Sequence, residues 1–310
     1  MSDGFDSHPL ADAFNRLTPD AVIAAAEIGE RRCNGRFTVL NSYENRVFEL
    51  GLEDGGAVIG KFYRPGRWSL DALDDEHDFL YALDDAEVPV SLPIGLDDDG
   101  TTIGTLTGEA SGIHYAIFDK VRGRVPDEFD DDELVTLGRL LGELHTVGAD
   151  DEAEHRPRLD VATYGRANLA LLIDGGHLPP EIRQNYVYTA EALFDRIEPL
   201  LAEVPMHRIH GDCHPANLIR TREGFVFLDF DDMLTGPAAQ DVWMLVPSSD
   251  AEGHRQRKVL LEGYREVRDF PSRWLDLVEP LRALRYIHYS TWIARRWHDP
   301  IFRRTFSHFG

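Results

Sequence analysis

Apolar positions along this chain follow two rhythms. Up to residue 119 they fall in short runs rich in β-branched and aromatic residues, "RFTVL" (36–40), "NRVFELGL" (45–52), "GAVIGKFY" (56–63) and "HYAIFD" (114–119). Such runs, bounded by turn residues such as Asp54-Gly55-Gly56, predict the strands and hairpins of a β-rich front lobe. One helix interrupts them, starting after Ser69, a suitable N-cap, and running through "LDALDDEHDFLYAL". Beyond residue 130 the spacing turns helical, as in "DELVTLGRLLGELHTV" and "LPPEIRQNYVYTAEALFDRIEPLLAEV". The expectation is an α+β chain of two lobes: a β-rich lobe over residues 1–118 and a mostly helical lobe over 119–310, meeting at "IFDKVRG".

The helical rhythm is broken by "HGDCHPANLIRTREGFVFLDFDD" (210–232). Within it, two apolar runs surround the turn-forming Arg222-Glu223-Gly224, which predicts a β-hairpin that folds Asn217 back toward Asp229. Asp212 precedes Asn217 by five residues, in a loop too polar to be core. Converging Asp, Asn and Asp oxygens suit Mg2+, which takes few protein ligands and completes its shell with phosphate oxygens and water.

The front helix adds a second clue. Leu73, Glu76, Leu80 and Leu83 are spaced three, four and three residues apart, so Glu76 shares the apolar face. A buried carboxylate needs a cation. Lys61 lies on the strand "AVIGKFY" with Ile59 and Tyr63 on its face, in a chain whose lysines stand only at positions 61, 120 and 258. An ammonium bridging Glu76 and the phosphates of a nucleotide explains both residues.

Composition narrows the classes. With 310 residues, 43% of them hydrophobic, the chain can build two cores. Fifty-five acidic residues against 32 basic ones leave a net charge of −23, which repels a polyphosphate backbone and argues against nucleic acid as the main partner. The same acidity also serves solubility or a salty cytoplasm. Two distant cysteines, Cys33 and Cys213, and a start, "MSDGFDSHPLADAFNRL", without a basic segment followed by an apolar one give no sign of secretion. The run "AVIAAAEIG" is far shorter than the roughly 20 residues of a membrane span. A cytoplasmic protein away from the membrane is expected. There is no internal repeat, and acidic runs such as "DEFDDDE" read as solvated loop or helix-cap residues.

Taken together, Lys61, Glu76, "HGDCHPAN" and "LDFD" resemble the protein-kinase-like fold in its aminoglycoside phosphotransferase branch, where HGDxxxxN replaces the HRDxxxxN of eukaryotic protein kinases. More closely, "NSYENRVFEL", "HGDCHPANLI", "LDFDD", "GPAAQDVWML" and "YSTWIARRWHDP", in order over residues 41–300, resemble the bacterial stress response kinase A family, also called YihE or RdoA. The resemblance implies a bilobal kinase-like fold with a five-stranded front sheet, and ATP-dependent, Mg2+-assisted phosphorylation of a protein serine or threonine in stress protection, by a monomer. It implies that Asp212 accepts or orients the proton of the attacking hydroxyl, with Asp229 as a second catalytic residue. Asn217 and Asp229 would hold Mg2+, and Lys61 would position the phosphates with Glu76 behind it. Ser42, between the first two strands, would cover the triphosphate, and the backbone from Phe118 to Val121 would hold adenine at the hinge.

Departures from eukaryotic kinases matter as well. GxGxxG is missing, DFD stands where DFG would be, and eleven residues separate Asp229 from Asp241. That is too short for a long activation loop, so regulation by phosphorylation there is not expected. Asp241 is a candidate for tying down the catalytic loop. His210 and His214 read as structural rather than metal-binding, Cys213 as a packed side chain, and Asp231 and Asp232 as loop charge ahead of a second metal contact. Trp292, Arg295, Arg296 and Trp297 read as packing and surface pairs ahead of a substrate clamp. The second functional reading is a kinase of an amino alcohol, sugar or antibiotic. A nucleotide-binding module without catalysis is opposed by the intact Lys61, Asp212, Asn217 and Asp229, and a metal-dependent hydrolase leaves Lys61 and Glu76 unexplained.

Overall fold

A computed structural model describes residues 16–40, 42–297 and 299–307. The segment read for a secretion signal lies outside the described residues up to position 15, as do Asn41 and His298 of the family motifs. The chain forms two compact units. One runs up to Arg124 and includes Thr221–Leu228; the other holds Val125–Arg220 and the chain from Asp229 onward.

The first unit is built on the expected five-stranded sheet. After a helix, α1 (Pro19–Ala26), come β1 (Cys33–Leu40), β2 (Arg46–Leu52), β3 (Ala57–Phe62), the helix α2 (Leu70–Asp85), β4 (Gly104–Thr105) and β5 (His114–Asp119). The strands lie in the order β1-β2-β3-β5-β4, all antiparallel. Alternation sends Leu50, Val58, Phe62 and Ile117 into a core closed by Val22 and Ala26 of α1. Lys61 stands between Val47 and Ala116 on the central strand. Ser69 caps α2 as predicted, its hydroxyl accepting the Ala72 N–H at 3.2 Å. The turn at Arg222-Glu223-Gly224 also forms, with the Thr221 N–H donating to the Gly224 carbonyl at 2.8 Å. Helix α1 was not anticipated. Its eight residues are too few to show a period, and a Thr18 cap with Pro19 in the first turn starts it. β4, two residues long, carries no pattern at all.

The second unit is mostly helical: α3 (Asp131–Gly148), α4 (Ala167–Asp174), α5 (Pro180–Ala202), α6 (Ala239–Leu245), α7 (Ala251–Val267), α8 (Val278–Arg295) and α9 (Pro300–Thr305). A capping box between Asp130 and Glu133 starts α3. Glycines let α3 and α7 touch: a Cβ on Gly138 would sit 1.9 Å from the Leu260 carbonyl oxygen, and one on Gly263 would sit 1.9 Å from that of Val135. Between the helices, His207–Ile209 pairs antiparallel with Leu234–Gly236. This three-residue ribbon, invisible to periodicity, carries the polar loop that begins at His210. No helix among the described residues is long and apolar enough to cross a membrane.

Candidate active site

The loop is held by its backbone. Gly211 has φ +80°, and a Cβ there would lie 2.1 Å from the Asp232 carbonyl oxygen, so only glycine fits between His210 and Asp212. Asp241, fully buried at the start of α6, accepts the His210 N–H at 2.8 Å and the Gly211 N–H at 2.9 Å. Next to it, the Gln240 amide donates to the Gly211 carbonyl at 3.3 Å and accepts the Trp243 indole N–H at 3.0 Å. Asp241 thus ties down the loop, as its position in "QDVWML" suggested. His145 lies with Nε2 3.1 Å from the same carboxylate and Nδ1 3.0 Å from the Tyr264 hydroxyl. Burial lowers its pKa against the pull of Asp241, which favours a neutral ring donating to Asp241 and accepting from Tyr264.

The Asp212 carboxylate is flanked by an arginine and a histidine. Oδ1 meets Arg285 Nη2 of α8 at 2.5 Å, and Oδ2 meets His214 Nε2 at 3.4 Å. Burial alone would raise its pKa, but His214 and Arg285 outweigh burial and hold the carboxyl well below the usual range. In return, the hydrogen bond to Asp212 raises His214, against burial. Asn217 closes the loop by donating its side-chain amide to the Asp212 carbonyl at 3.0 Å, and its backbone N–H to the His214 carbonyl at 2.8 Å. With Arg285 and His214 bound to it, the carboxylate is a weak proton acceptor but a good orienting group.

Asp229 is exposed and holds a left-handed backbone, φ 59° and ψ 68°, at the head of the turn Phe230–Asp232. Outside glycine that region is costly, and Asp is among the residues that tolerate it. The turn is pinned on both sides. The His210 ring packs on Phe230 with centroids 4.4 Å apart, and buried Arg156 donates to the Asp231 carbonyl at 2.7 Å. With the nitrogen of its amide engaged, Asn217 has its amide oxygen to offer. An amide oxygen and a carboxylate are of the hard donor type that Mg2+ takes, in a shell with room for phosphate. Buried His210 packs as structure, and His214 pairs with Asp212. Burial, then Asp241 and Asp212, push the Cys213 thiol well above its ordinary value, which leaves it a packed side chain.

In the sheet unit, Lys61 Nζ lies 3.3 Å from Glu76 Oε1, with side chains only 7% and 1% exposed. The ammonium also sits 5.2 Å from the centre of the Tyr63 ring. Glu76 is buried among Leu73, Leu80 and Leu83, as its spacing required. Ser42 lies on the connection between β1 and β2, and Phe118 in β5 meets the His77 ring edge-on at 6.0 Å. The structure therefore joins Lys61 to Glu76 and Asp212 to Asn217, while Ser42, Phe118 and Asp229 are placed by their elements. Arg285 was not foreseen. It lies in "LRALRYIH", where helical spacing marks only the buried Leu281, Leu284 and Ile287. Farther along α8, Trp292 packs on Phe302 and Phe306 at 4.8 and 5.7 Å, and Arg296 donates to the Trp292 carbonyl at 3.1 Å. Packing is the better reading there.

A five-stranded sheet unit, a helical unit and a clamped His-Gly-Asp loop define a kinase-like phosphotransferase. The sequence profile described as the phosphotransferase enzyme family matches residues 36–274. Stress response kinase A of Salmonella typhi is 36% identical over 297 residues, covering 96% of this chain and 88% of that protein. The serine/threonine protein kinase RdoA of Salmonella typhimurium matches with the same identity and coverage, 36%, 96% and 88%. The chain belongs to the stress response kinase A family of phosphotransferase enzymes. Among solved structures, an amicoumacin kinase in complex with AMP-PNP, Ca2+ and Ami is similar with TM-score 0.75 at 20% identity, over 96% of this chain and 93% of that one. A microcompartment-associated aminopropanol kinase is similar with TM-score 0.67 at 21% identity, over 93% and 92%. At these identities the likeness is one of fold.

Proposed function

We propose that this phosphotransferase is an ATP-dependent serine/threonine protein kinase acting in stress response, and that a protein hydroxyl is its acceptor. The observation that carries the choice of acceptor is the company of Asp212. With Arg285 at 2.5 Å and His214 at 3.4 Å, the carboxylate sits in cationic surroundings that disfavour a polycationic aminoglycoside. The names of the relatives point the same way. In this reading the acceptor hydroxyl hydrogen-bonds Asp212, which orients its oxygen toward the γ-phosphorus of ATP. Lys61, kept in place by Glu76, positions the phosphates; Ser42 covers them; the backbone at Phe118 receives adenine. Mg2+, when bound, would neutralise phosphate charge, and Asn217 and Asp229 are the residues to hold it.

The alternative, phosphorylation of an amino alcohol or antibiotic, is supported by the fold it shares with kinases of such compounds. Incubation with labelled ATP and Mg2+, supplying a generic protein in one arm and amino alcohols or aminoglycosides in the other, separates the two. Label is expected on protein. Rapid labelling of a small molecule with none on protein would replace this reading by the alternative.

A further inference from the structure

Arg285 does more than an ion pair at a surface requires. Its side chain is 29% exposed and that of Asp212 is 19% exposed, so the contact stands at an opening rather than inside the core. Yet α8 is firmly seated. Leu281 and Leu284 are buried, Arg282 donates to the Pro247 carbonyl at 2.9 Å, and its guanidinium lies 5.2 Å from the ring centre of Trp243 in α6. That is the helix whose Asp241 clamps the catalytic loop. Arg285 is thereby held in fixed relation to Asp212, with only its own side chain free to turn.

Distances then leave little choice about what else it meets. An acceptor oxygen using Asp212 must come within about 2.6–3.2 Å of the carboxylate. The phosphorus it attacks must approach that oxygen to about 3–3.5 Å. A guanidinium already bound to one carboxylate oxygen is thus within a side-chain rotation of the phosphoryl oxygens. There, negative charge is spread over three oxygens, and a planar fork of donors that never loses its proton matches them better than an ammonium.

Resting on the phosphoryl-transfer reading above, we propose that Arg285 is a catalytic cation that contacts the transferring phosphoryl group. The bond from the γ-phosphorus to the bridging oxygen breaks and ADP departs with the electron pair. The acceptor oxygen forms the new bond to phosphorus, and its proton passes to Asp212. As the acceptor hydroxyl takes up Asp212, Arg285 turns from the carboxylate to the phosphoryl oxygens.

The test compares Arg285→Ala, Arg285→Lys and Asp212→Asn, each checked for wild-type thermal melting, by ATP turnover to protein or water. Affinity for ADP with aluminium fluoride, a planar phosphoryl mimic, is measured in parallel. Arg285→Ala should lower kcat by about 100-fold or more while KM for ATP and affinity for ADP alone stay within about twofold. Its affinity for the mimic should fall by about tenfold. Free guanidinium should restore part of kcat, and Arg285→Lys should restore little. Asp212→Asn should still bind the mimic as the wild type does, whereas a guanidinium that merely orients Asp212 would give both variants the same affinity. An active wild type with Arg285→Ala unchanged in kcat, or with ADP and mimic weakened alike, overturns the assignment of Arg285 alone. A wild type that neither turns over ATP nor binds the mimic overturns the phosphoryl-transfer reading itself.

Discussion

The Asp241 carboxylate accepts the Gly211 N–H at 2.9 Å from thirty residues downstream, and its other oxygen takes the His210 N–H at 2.8 Å. Removing that carboxylate strands three buried donors, these two N–H groups and the Nε2–H of His145. Each buried donor without a partner costs about 1–3 kcal/mol, so Asp241→Ala should lose roughly 3 kcal/mol or more in chemical denaturation. Phosphoryl transfer should fall with it, because Asp212 follows directly on the released backbone. A variant that unfolds at the wild-type midpoint would show that the clamp is dispensable.

Lys61 and Glu76 form a nearly sealed ion pair at 3.3 Å. Taking away one partner of such a pair costs about 3–5 kcal/mol, because the other charge stays buried without its counterpart. Lys61→Met should therefore be less stable than the double variant Lys61→Met with Glu76→Leu. Both should turn over ATP poorly. A double-mutant cycle with no coupling would remove the pair from the account.

Asp229 combines a left-handed backbone, φ 59°, with a carboxylate assigned to the metal. Glycine meets that backbone without steric cost. Asp229→Gly should keep that turn and yet lose Mg2+-dependent transfer. A marked loss of stability would mean that the side chain, rather than the metal, needs it there.

Acid should weaken the helical unit through two buried histidines. Burial, with His145 beside it, pushes the His207 pKa down from 6.5 to about 3, and burial lowers His145 as well. Between those values the unfolded chain binds a proton at His207 that the folded chain does not, so stability falls as pH drops through 6.5 toward 3. Each pH unit below the unfolded value costs about 1.4 kcal/mol per histidine. Denaturation midpoints for His207→Gln should fall less steeply between pH 7 and 5, a window set by those values. Equal slopes in variant and wild type would exclude His207 as the source.

How much of this was legible depended on whether the signal was local. Lys61, Glu76 and the Ser69 cap could be read because a strand period, a helix period and a capping rule each act within a few residues. The clamp by Asp241 was half legible: its place in "QDVWML" pointed to the loop, but the two N–H groups it binds lie about thirty residues upstream, beyond any period. Arg285 gave no sign at all. It reaches Asp212 across 73 positions, and its helix is ordinary amphipathic sequence. Helix α1 and the ribbon His207–Ile209 with Leu234–Gly236 were lost because eight and three residues cannot show a period.

The central claim is that Asp212 addresses the acceptor and not the nucleotide. Asp212→Asn is the direct measurement: label transfer from ATP to protein, alongside the Kd for ATP in the presence of Mg2+. Transfer should drop by about 100- to 10,000-fold, the range for a positioned acid or base, while the ATP Kd stays within about twofold. Transfer at the wild-type rate, or a loss of ATP affinity that accounts for the whole drop, would contradict the account.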